Sequence, residues 1–450
     1  MDRKPSDARA LAVPTGRFTR FGRLGSMTAG IAGNMAINGL AKLGQGQRPE
    51  MRDLLLTPSN ITRVADQLAK MRGAAMKIGQ LMSMDTGDVL PPELAQIMAR
   101  LRDNAHFMPP AQLKQVLNAQ WPEHWLRSFE SFDVRPIAAA SIGQVHRARL
   151  KTGEELAIKV QYPGVAESID SDVANVGLLM RMSGLLPGGF ELAPYLDEAR
   201  KQLHEETDYQ REGAHLSRFG ALLADAPRFV VPRLEERWTT SDILAMSFVA
   251  GAPVEAARNA PDAVRNQVAR DLIDLTLREL FTFGVMQTDP NFANYLYDAA
   301  VDRIALLDFG ATREIAPDVV DQYARLIAAG VEDDRVAIEA IIHEIGFVTE
   351  DSKPAHREAI VDMIRTVFGA LGRSGQFDFS DTELSRVMQA KGTALAEDEF
   401  VPPPLPIDVL LLQRKFGGVF LLASRLGAQV DVMAVLRPYL EDRRKERRSA

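Results

Sequence analysis

Apolar residues recur with two different periods along this chain. Ile61, Ala65, Leu68, Ala75, Ile78 and Met82 fall at spacings of three, four and seven. They form one stripe of a helix that starts after the capping residues Thr57-Pro58-Ser59-Asn60. Pro91-Pro92 opens a second helix to about Asp103, and Pro109-Pro110 a third that ends near Trp121-Pro122. The pattern then changes to short strands at Phe129–Phe132 and Ile142–Ala148, and a stronger one at Glu155–Gln161 after a Lys151-Thr152-Gly153 turn. Helical periodicity returns over roughly 166–184 and 194–222, and two further strands are expected at 229–234 and 243–249. From Pro261 the chain is mainly helical, apart from a loop-and-strand cluster at 284–310 and a proline break at 402–406. Residues 1–55 show no strong periodicity and read as a Gly/Ala-rich basic leader. The expected organisation is therefore a leader (1–55), a helical extension (56–125), a small β-rich lobe (126–250) and a large α-rich lobe (251–450), an α+β fold.

Composition narrows the partners. Of the 450 residues 46% are hydrophobic and 25% charged, enough for a globular core. The net charge of −7 argues against a nucleic-acid binder. Residues 1–25 carry six basic against two acidic side chains, and Arg443-Arg444-Lys445-Glu446-Arg447-Arg448 ends the chain in a second basic run. Such ends suit contact with an anionic membrane surface, although each alone also fits a solvated tail. The chain has no cysteine, which excludes disulfides, zinc–thiolate sites and cysteine nucleophiles. Met27–Leu43 is too short for a membrane span and contains Asn34, Asn38 and Lys42. A cytoplasmic location, peripheral at the membrane, is the expectation.

The candidate chemistry begins at Leu307-Asp308-Phe309-Gly310, which follows the apolar run Ile304–Leu307. A carboxylate at that strand end is placed to hold Mg²⁺ against nucleotide phosphates, although Asp-Phe-Gly alone also occurs in plain turns. Nineteen residues earlier, Asp289 and Asn294 stand five apart, the spacing of a kinase catalytic loop. There the Asp orients or deprotonates the acceptor and the Asn binds metal. Lys159 interrupts an apolar strand, where it is either a paired phosphate-binding lysine or an edge lysine facing solvent. Glu205, Glu206, Asp208 and Glu212 follow on one acidic helix, with Glu206 and Glu212 pointing in different directions, so that one helix can serve two cations. Each part is weak, but their order is that of a kinase centre.

Two features depart from an ordinary protein kinase. Where a glycine-rich loop should cover the phosphates, the chain has Ala138, Ala139, Ala140, Ser141, Ile142 and Gly143. Alanine restricts both positive φ and close backbone approach, so this loop should cradle a nucleotide differently. A helix begins near Pro317, soon after Asp308, leaving no long activation segment and no Ala-Pro-Glu.

With these features the chain resembles the UbiB/AarF family of atypical kinase-like proteins. Its Lys-x-Gly-Gln motif appears as Lys77-Ile78-Gly79-Gln80, its Ala-rich loop as Ala138–Ser141 followed by Ile142-Gly143-Gln144-Val145-His146, and its Glu-x-Asp motif as Glu206-Thr207-Asp208 before Tyr209-Gln210-Arg211-Glu212. The likeness spans about residues 55–430. It implies an atypical protein-kinase-like two-lobed fold with a helical N-terminal extension. It assigns Lys159 to Glu212, Lys77 to the Glu206/Asp208 acids, and a gating role to Lys77, Gln80, Glu206 and Asp208. The extension would block the protein-substrate groove. The family's catalytic loop often has His, His, Pro and Gly where this chain has Gln287, Asn291, Phe292 and Ala293. Where the lobes join, Ser247 replaces a frequent Glu after Met246, leaving Met246, Phe248 and nearby backbone to bind adenine. The implied ligands are ATP or ADP with Mg²⁺. The implied activity is an ATPase supporting ubiquinone or isoprenoid-lipid metabolism, with a kinase for a lipid precursor or a nucleotide-binding scaffold as alternatives.

Overall fold

The computed structural model describes residues 71, 73–75, 77–78, 107–140, 142–182, 192–372, 375–398, 400, 402–403 and 405–449. The leader, the expected helices before residue 71 and at Pro91–Asp103, Gln80 and Ser141 lie outside the described residues. In chain order the main elements are α1 (Pro110–Gln120), β1 (Phe129–Phe132), β2 (Ala138–Ala139), β3 (Gly143–Leu150), β4 (Glu155–Gln161), α2 (Val165–Met182), α3 (Ala193–Glu206) and α4 (Tyr209–Leu222). Then come β5 (Phe229–Val230), β6 (Ile243–Ser247), β7 (Ala252–Pro253), α5 (Asp262–Arg278), β8 (Val285–Gln287), β9 (Tyr295–Asp298), β10 (Arg303–Leu306) and β11 (Thr312–Glu314). The remainder is α6 (Pro317–Glu332), α7 (Arg335–Ile345), α8 (Pro354–Leu371), β12 (Phe377–Asp378), α9 (Glu383–Glu397), α10 (Ile407–Leu426), β13 (Gln429–Val430) and α11 (Val432–Ser449). These elements fall into two compact units: residues 1–217 with 233–248, and 218–232 with 249–450.

The first unit is built on the antiparallel sheet β1-β3-β4-β6, with β2 paired to β3. One face carries Ala148, Leu156, Ile158, Val160, Ile243 and Ala245, which pack with Leu113 and Leu117 of α1. All three tryptophans join this core: Trp121 stacks on Phe129 at 5.5 Å, meets Trp125 at 4.9 Å and meets Trp238 at 5.1 Å. Such edge and offset pairs add roughly 0.5–1.5 kcal/mol each beyond burial. Gly143 is required by close approach: a Cβ there would lie 2.3 Å from the Val160 carbonyl oxygen.

Two expectations differ from the structure. The helical pattern over 194–222 is two helices, broken at Thr207-Asp208. Gln161 Nε2 donates to the Thr207 carbonyl at 2.6 Å, and Thr207 Oγ1 donates to the His204 carbonyl at 2.9 Å. Asp208 then starts the next helix by accepting from the Arg211 amide at 3.0 Å, an N-cap bond that competes with helix continuation. The strand expected at 229–234 is also shorter, ending at Val230.

The second unit combines the sheet β5-β10-β9-β7 and the pairs β11-β8 and β12-β13 with helices α5 to α11. α5 packs on α10, and Leu272 and Leu275 of the one and Leu412 and Leu422 of the other are buried. The segment following α5 widens into a π-turn over Glu279–Phe283, ended by Gly284 at φ 62°. The helix expected near Pro317 is α6, with proline in its first turn.

Candidate active site

Each unit contributes a polar cluster. In the first, β4 places Lys159 directly opposite Val145 of β3 and Leu244 of β6, and Val145 is paired with Ala138 of β2. Cross-strand partners point to the same face, so Ala138, Lys159 and Leu244 form a row on the face away from the tryptophan core. The Lys159 ammonium donates to both oxygens of Glu212, at 2.9 and 3.0 Å, and lies 5.2 Å from the Tyr209 ring centroid. Both side chains are buried, at 8% and 2% exposure. An isolated lysine there would be costly, and the two-pronged carboxylate compensates it. The Ala-rich turn is closed by the Ala140 amide donating to the Gly143 carbonyl, with Ala138 and Ala139 exposed.

Lys77, in a helical stretch with buried Ala75 and Ile78, donates to Glu206 at the C-terminal end of α3 at 2.5 Å. Asp208 serves the cap of α4 instead. Glu205 and Glu206 thus lie on α3, Glu212 on α4 and Asp208 in the break between them, so the separation of their partners comes from the break rather than from two faces of one helix. At the end of β6 the amide of Ser247 donates to the Arg233 carbonyl and that of Phe248 to the Glu155 carbonyl. Both N–H groups are used inside the unit. The Met246 side chain lies on the Lys159 face, and the Phe248 ring is capped at 4.3 Å by Arg147.

Missed by sequence reasoning is the polar chain on the core face of this sheet. Gln144 Nε2 donates to His146 Nε2 at 2.8 Å, and His146 Nδ1 donates to the Asp133 carbonyl at 2.7 Å. The Gln144 side-chain oxygen accepts from the Met108 amide at 2.8 Å. Burial lowers the His146 pKa from its ordinary value, against the raising effect of the Asp133 carbonyl. These residues of the Gly-Gln-Val-His motif fasten the segment entering α1 to β3.

In the second unit, backbone pairing assembles a separate polar cluster. Leu306 pairs with Tyr295, and the Leu307 amide donates to the Asn294 carbonyl at 3.0 Å. Thr312 pairs with Gln287, and Thr288 donates to the Ala311 carbonyl through both its amide and its hydroxyl. The loop from Asp289 to Asn294 is therefore stapled at both ends to the segment around Asp308. Asn294 Nδ2 reaches Asp289 Oδ2 at 3.3 Å, and Asp308 Oδ1 accepts from the Gly310 amide at 3.0 Å. Phe309 is buried against Phe219, ring centroids 5.0 Å apart.

Four residues around this loop escaped sequence reasoning. Arg414 Nη2 donates to Asp289 Oδ1 at 2.6 Å. Lys415 donates to the Gln287 carbonyl at 2.8 Å and Tyr295 Oη at 3.2 Å, and pairs with Glu279 at 3.0 Å. Burial alone pulls the Lys415 ammonium down, but Glu279 and Tyr295 outweigh it and hold its pKa above the ordinary lysine value. The signal was present: two cations inside the apolar run Val409–Phe416 resemble the lysine in an apolar strand that singled out Lys159.

A paired lysine under an alanine-rich hairpin and a stapled Asp…Asn…Asp loop define a kinase-like phosphoryl-transfer enzyme. Residues 100–342 match the family model described as the ABC1 atypical kinase-like domain. The chain belongs to this family, that of the COQ8, UbiB and AarF atypical kinases. It is 37% identical over 433 residues to the Saccharomyces cerevisiae protein "Atypical kinase COQ8, mitochondrial", covering 95% of this chain and 86% of that one. It is also 37% identical over 429 residues to the Rattus norvegicus "Atypical kinase COQ8B, mitochondrial", covering 94% and 80%. Among solved structures, Rv3197 of Mycobacterium tuberculosis, in complex with erythromycin, superposes with a TM-score of 0.60 at 25% identity, covering 82% of this chain and 92% of that one.

Proposed function

We propose that this enzyme is a Mg²⁺-dependent ATPase of the atypical-kinase class acting in ubiquinone or other isoprenoid-lipid metabolism. The observation that carries the reading is the stapled loop, which holds Asp289, Asn294 and Asp308 at the ends of β8–β11 and β9–β10. The donor set suits a hard cation: a carboxylate at Asp308 and the amide oxygen of Asn294, whose Nδ2 is engaged by Asp289. Nucleotide with Mg²⁺ supplies the transferable phosphoryl group and the cation that screens its charge. Asp308 and Asn294 hold that cation, Lys159 contacts phosphate oxygens while Glu212 fixes its direction, and Asp289 orients the attacking water or hydroxyl. The Ala138–Ser141 turn covers the phosphates, and the Met246 and Phe248 side chains lie along the adenine.

Lys77 bound to Glu206 supports a further part of the reading, in which the extension limits access of a folded protein acceptor. Lys77, Gln80 and Glu206 would then govern access. The basic chain ends support peripheral contact with an anionic membrane. Among the described residues no helix is long and apolar enough to cross one.

The test is phosphate release from Mg-ATP with and without anionic liposomes, alongside tracing of labelled γ-phosphate in a lipid extract. Release without transfer is expected, stimulated by liposomes and lost in Asp308→Asn. Transfer of label to a small molecule would replace the ATPase by a lipid-precursor kinase. Nucleotide binding without release under any condition would leave a scaffold.

A further inference from the structure

The loop between Asp289 and Asn294 contains no basic residue, yet its aspartate meets a guanidinium. Arg414 Nη2 lies 2.6 Å from Asp289 Oδ1, while Asn294 Nδ2 holds the other oxygen at 3.3 Å. Arg414 comes from α10, 125 residues downstream. Its side chain is 12% exposed and that of Asp289 23%.

Three neighbours on α10 show that the whole helix is fitted to the loop. A Cβ on Gly418 would lie 2.2 Å from Pro290 Cβ, so glycine is what lets the helix approach the residue next to Asp289. Arg425 lays its guanidinium over the Phe292 ring at 4.7 Å. Positions 414, 418 and 425 are four and eleven apart and share one helix face. Lys415, one position round, ties the loop's flanks through the Gln287 carbonyl and the Tyr295 hydroxyl, and is itself anchored by Glu279.

We propose that α10 is the template of the catalytic loop, and that Arg414 is a positioning residue for Asp289. With one carboxylate oxygen on Arg414 and the other near Asn294, rotation of the Asp289 carboxylate is arrested, and its direction toward the attacking water or hydroxyl is set before nucleotide arrives. Arg414 also brings positive charge beside a loop that has none, where phosphoryl transfer concentrates negative charge. The inference rests on the role given to Asp289 in the proposed reaction.

The test uses the full chain. Arg414→Gln is expected to lower kcat about 100-fold, the effect of misplacing a reacting group by about 1 Å, with the KM for Mg-ATP changed by less than about threefold. Arg414→Lys should recover part of kcat, and added guanidinium should partly rescue Arg414→Ala but not Lys159→Met. Gly418→Ala should lower kcat in the same way by pushing α10 off Pro290. In both Arg414→Gln and Gly418→Ala, amide hydrogen exchange across residues 287–296 should accelerate, while the exposed Gln413→Ala on the same helix leaves exchange and turnover unchanged. Unchanged kcat with unchanged loop exchange in both variants overturns the proposal. So does a kcat loss that merely tracks a loss of folded protein. If the unaltered protein shows no turnover, the functional reading fails, and loop exchange alone decides whether α10 shapes the loop.

Discussion

Among the described residues, Lys159–Glu212 in the first unit and Lys415–Glu279 in the second are lysine–glutamate pairs in which both side chains are buried. Both are short, with contacts of 2.9 and 3.0 Å. Their surroundings differ. Lys159 stands in a row with Ala138 and Leu244 on the sheet face away from the tryptophan core, bonded to one carboxylate at the start of α4. Lys415 is 1% exposed and spends its other hydrogen bonds on the backbone and hydroxyl that flank the Asp289–Asn294 loop. In the proposed reaction the first pair presents a cation to the nucleotide, whereas the second ties the flanks of a loop. A buried ion pair is weak evidence of role; the partners of its remaining donors decide the role.

The largest effect that tests this contrast is on stability. Lys415→Met leaves Glu279 buried without its cation and should cost about 3–5 kcal/mol, the usual result of breaking a buried pair. Urea unfolding measures it, and the double variant Lys415→Met/Glu279→Gln should regain much of the loss. Lys159→Met likewise leaves Glu212 buried without its cation and should cost about 3–5 kcal/mol, but in the proposed reaction it should also lower turnover at least ~100-fold. Adding Glu212→Gln should restore its stability without restoring turnover. Equal turnover losses in the two folded double variants would erase the distinction.

A smaller effect tests the break between α3 and α4. Asp208→Ala removes an N-cap and should cost about 1 kcal/mol, whereas Asp208→Asn keeps the cap and should leave melting unchanged. If Asp208→Asn nonetheless alters turnover, Asp208 acts as a gating acid as well as a cap.

The smallest effect concerns His146. Its folded pKa lies below 6.5, so the folded state keeps it neutral while the unfolded chain takes up a proton as pH falls through about 6.5. The unfolded state binds more protons, so stability should fall on acidification from pH 7.5 toward 5 and level off below the folded pKa. Protonation would set His146 Nε2–H against the Gln144 amide and loosen its hold on Met108. His146→Gln should flatten this dependence in thermal melts followed by tryptophan fluorescence, since all three tryptophans lie in that core. An unchanged pH profile in His146→Gln would assign the dependence to other groups.

Much of the fold was legible because periodicity reports burial directly. The strand Glu155–Gln161, the helix entered at Pro110 and the one entered at Pro317 all follow from apolar spacing and proline placement. The break at Thr207-Asp208 was not legible, because apolar spacing continues across it and the deciding donor, Gln161, lies 46 positions away on β4. Around the loop, Asp289, Asn294 and Asp308 were legible because their spacing is fixed by a short local path. Arg414, Lys415 and Glu279 were not, because their meaning lies in contacts across 120 to 136 positions, with the loop and with each other.

By itself the sequence determined that this chain carries a lysine in a strand, an acid on a following helix and an Asp…Asn…Asp order, and hence a kinase-like chemistry. Those are one-dimensional constraints, set by residue type and spacing. Only the tertiary structure decided that Lys77 meets Glu206 while Asp208 is a cap, that Gln144 and His146 face the core, and that α10 supplies the cation beside Asp289. Each of these depends on a single hydrogen bond or a single close approach between distant segments, and periodicity carries no record of the partner.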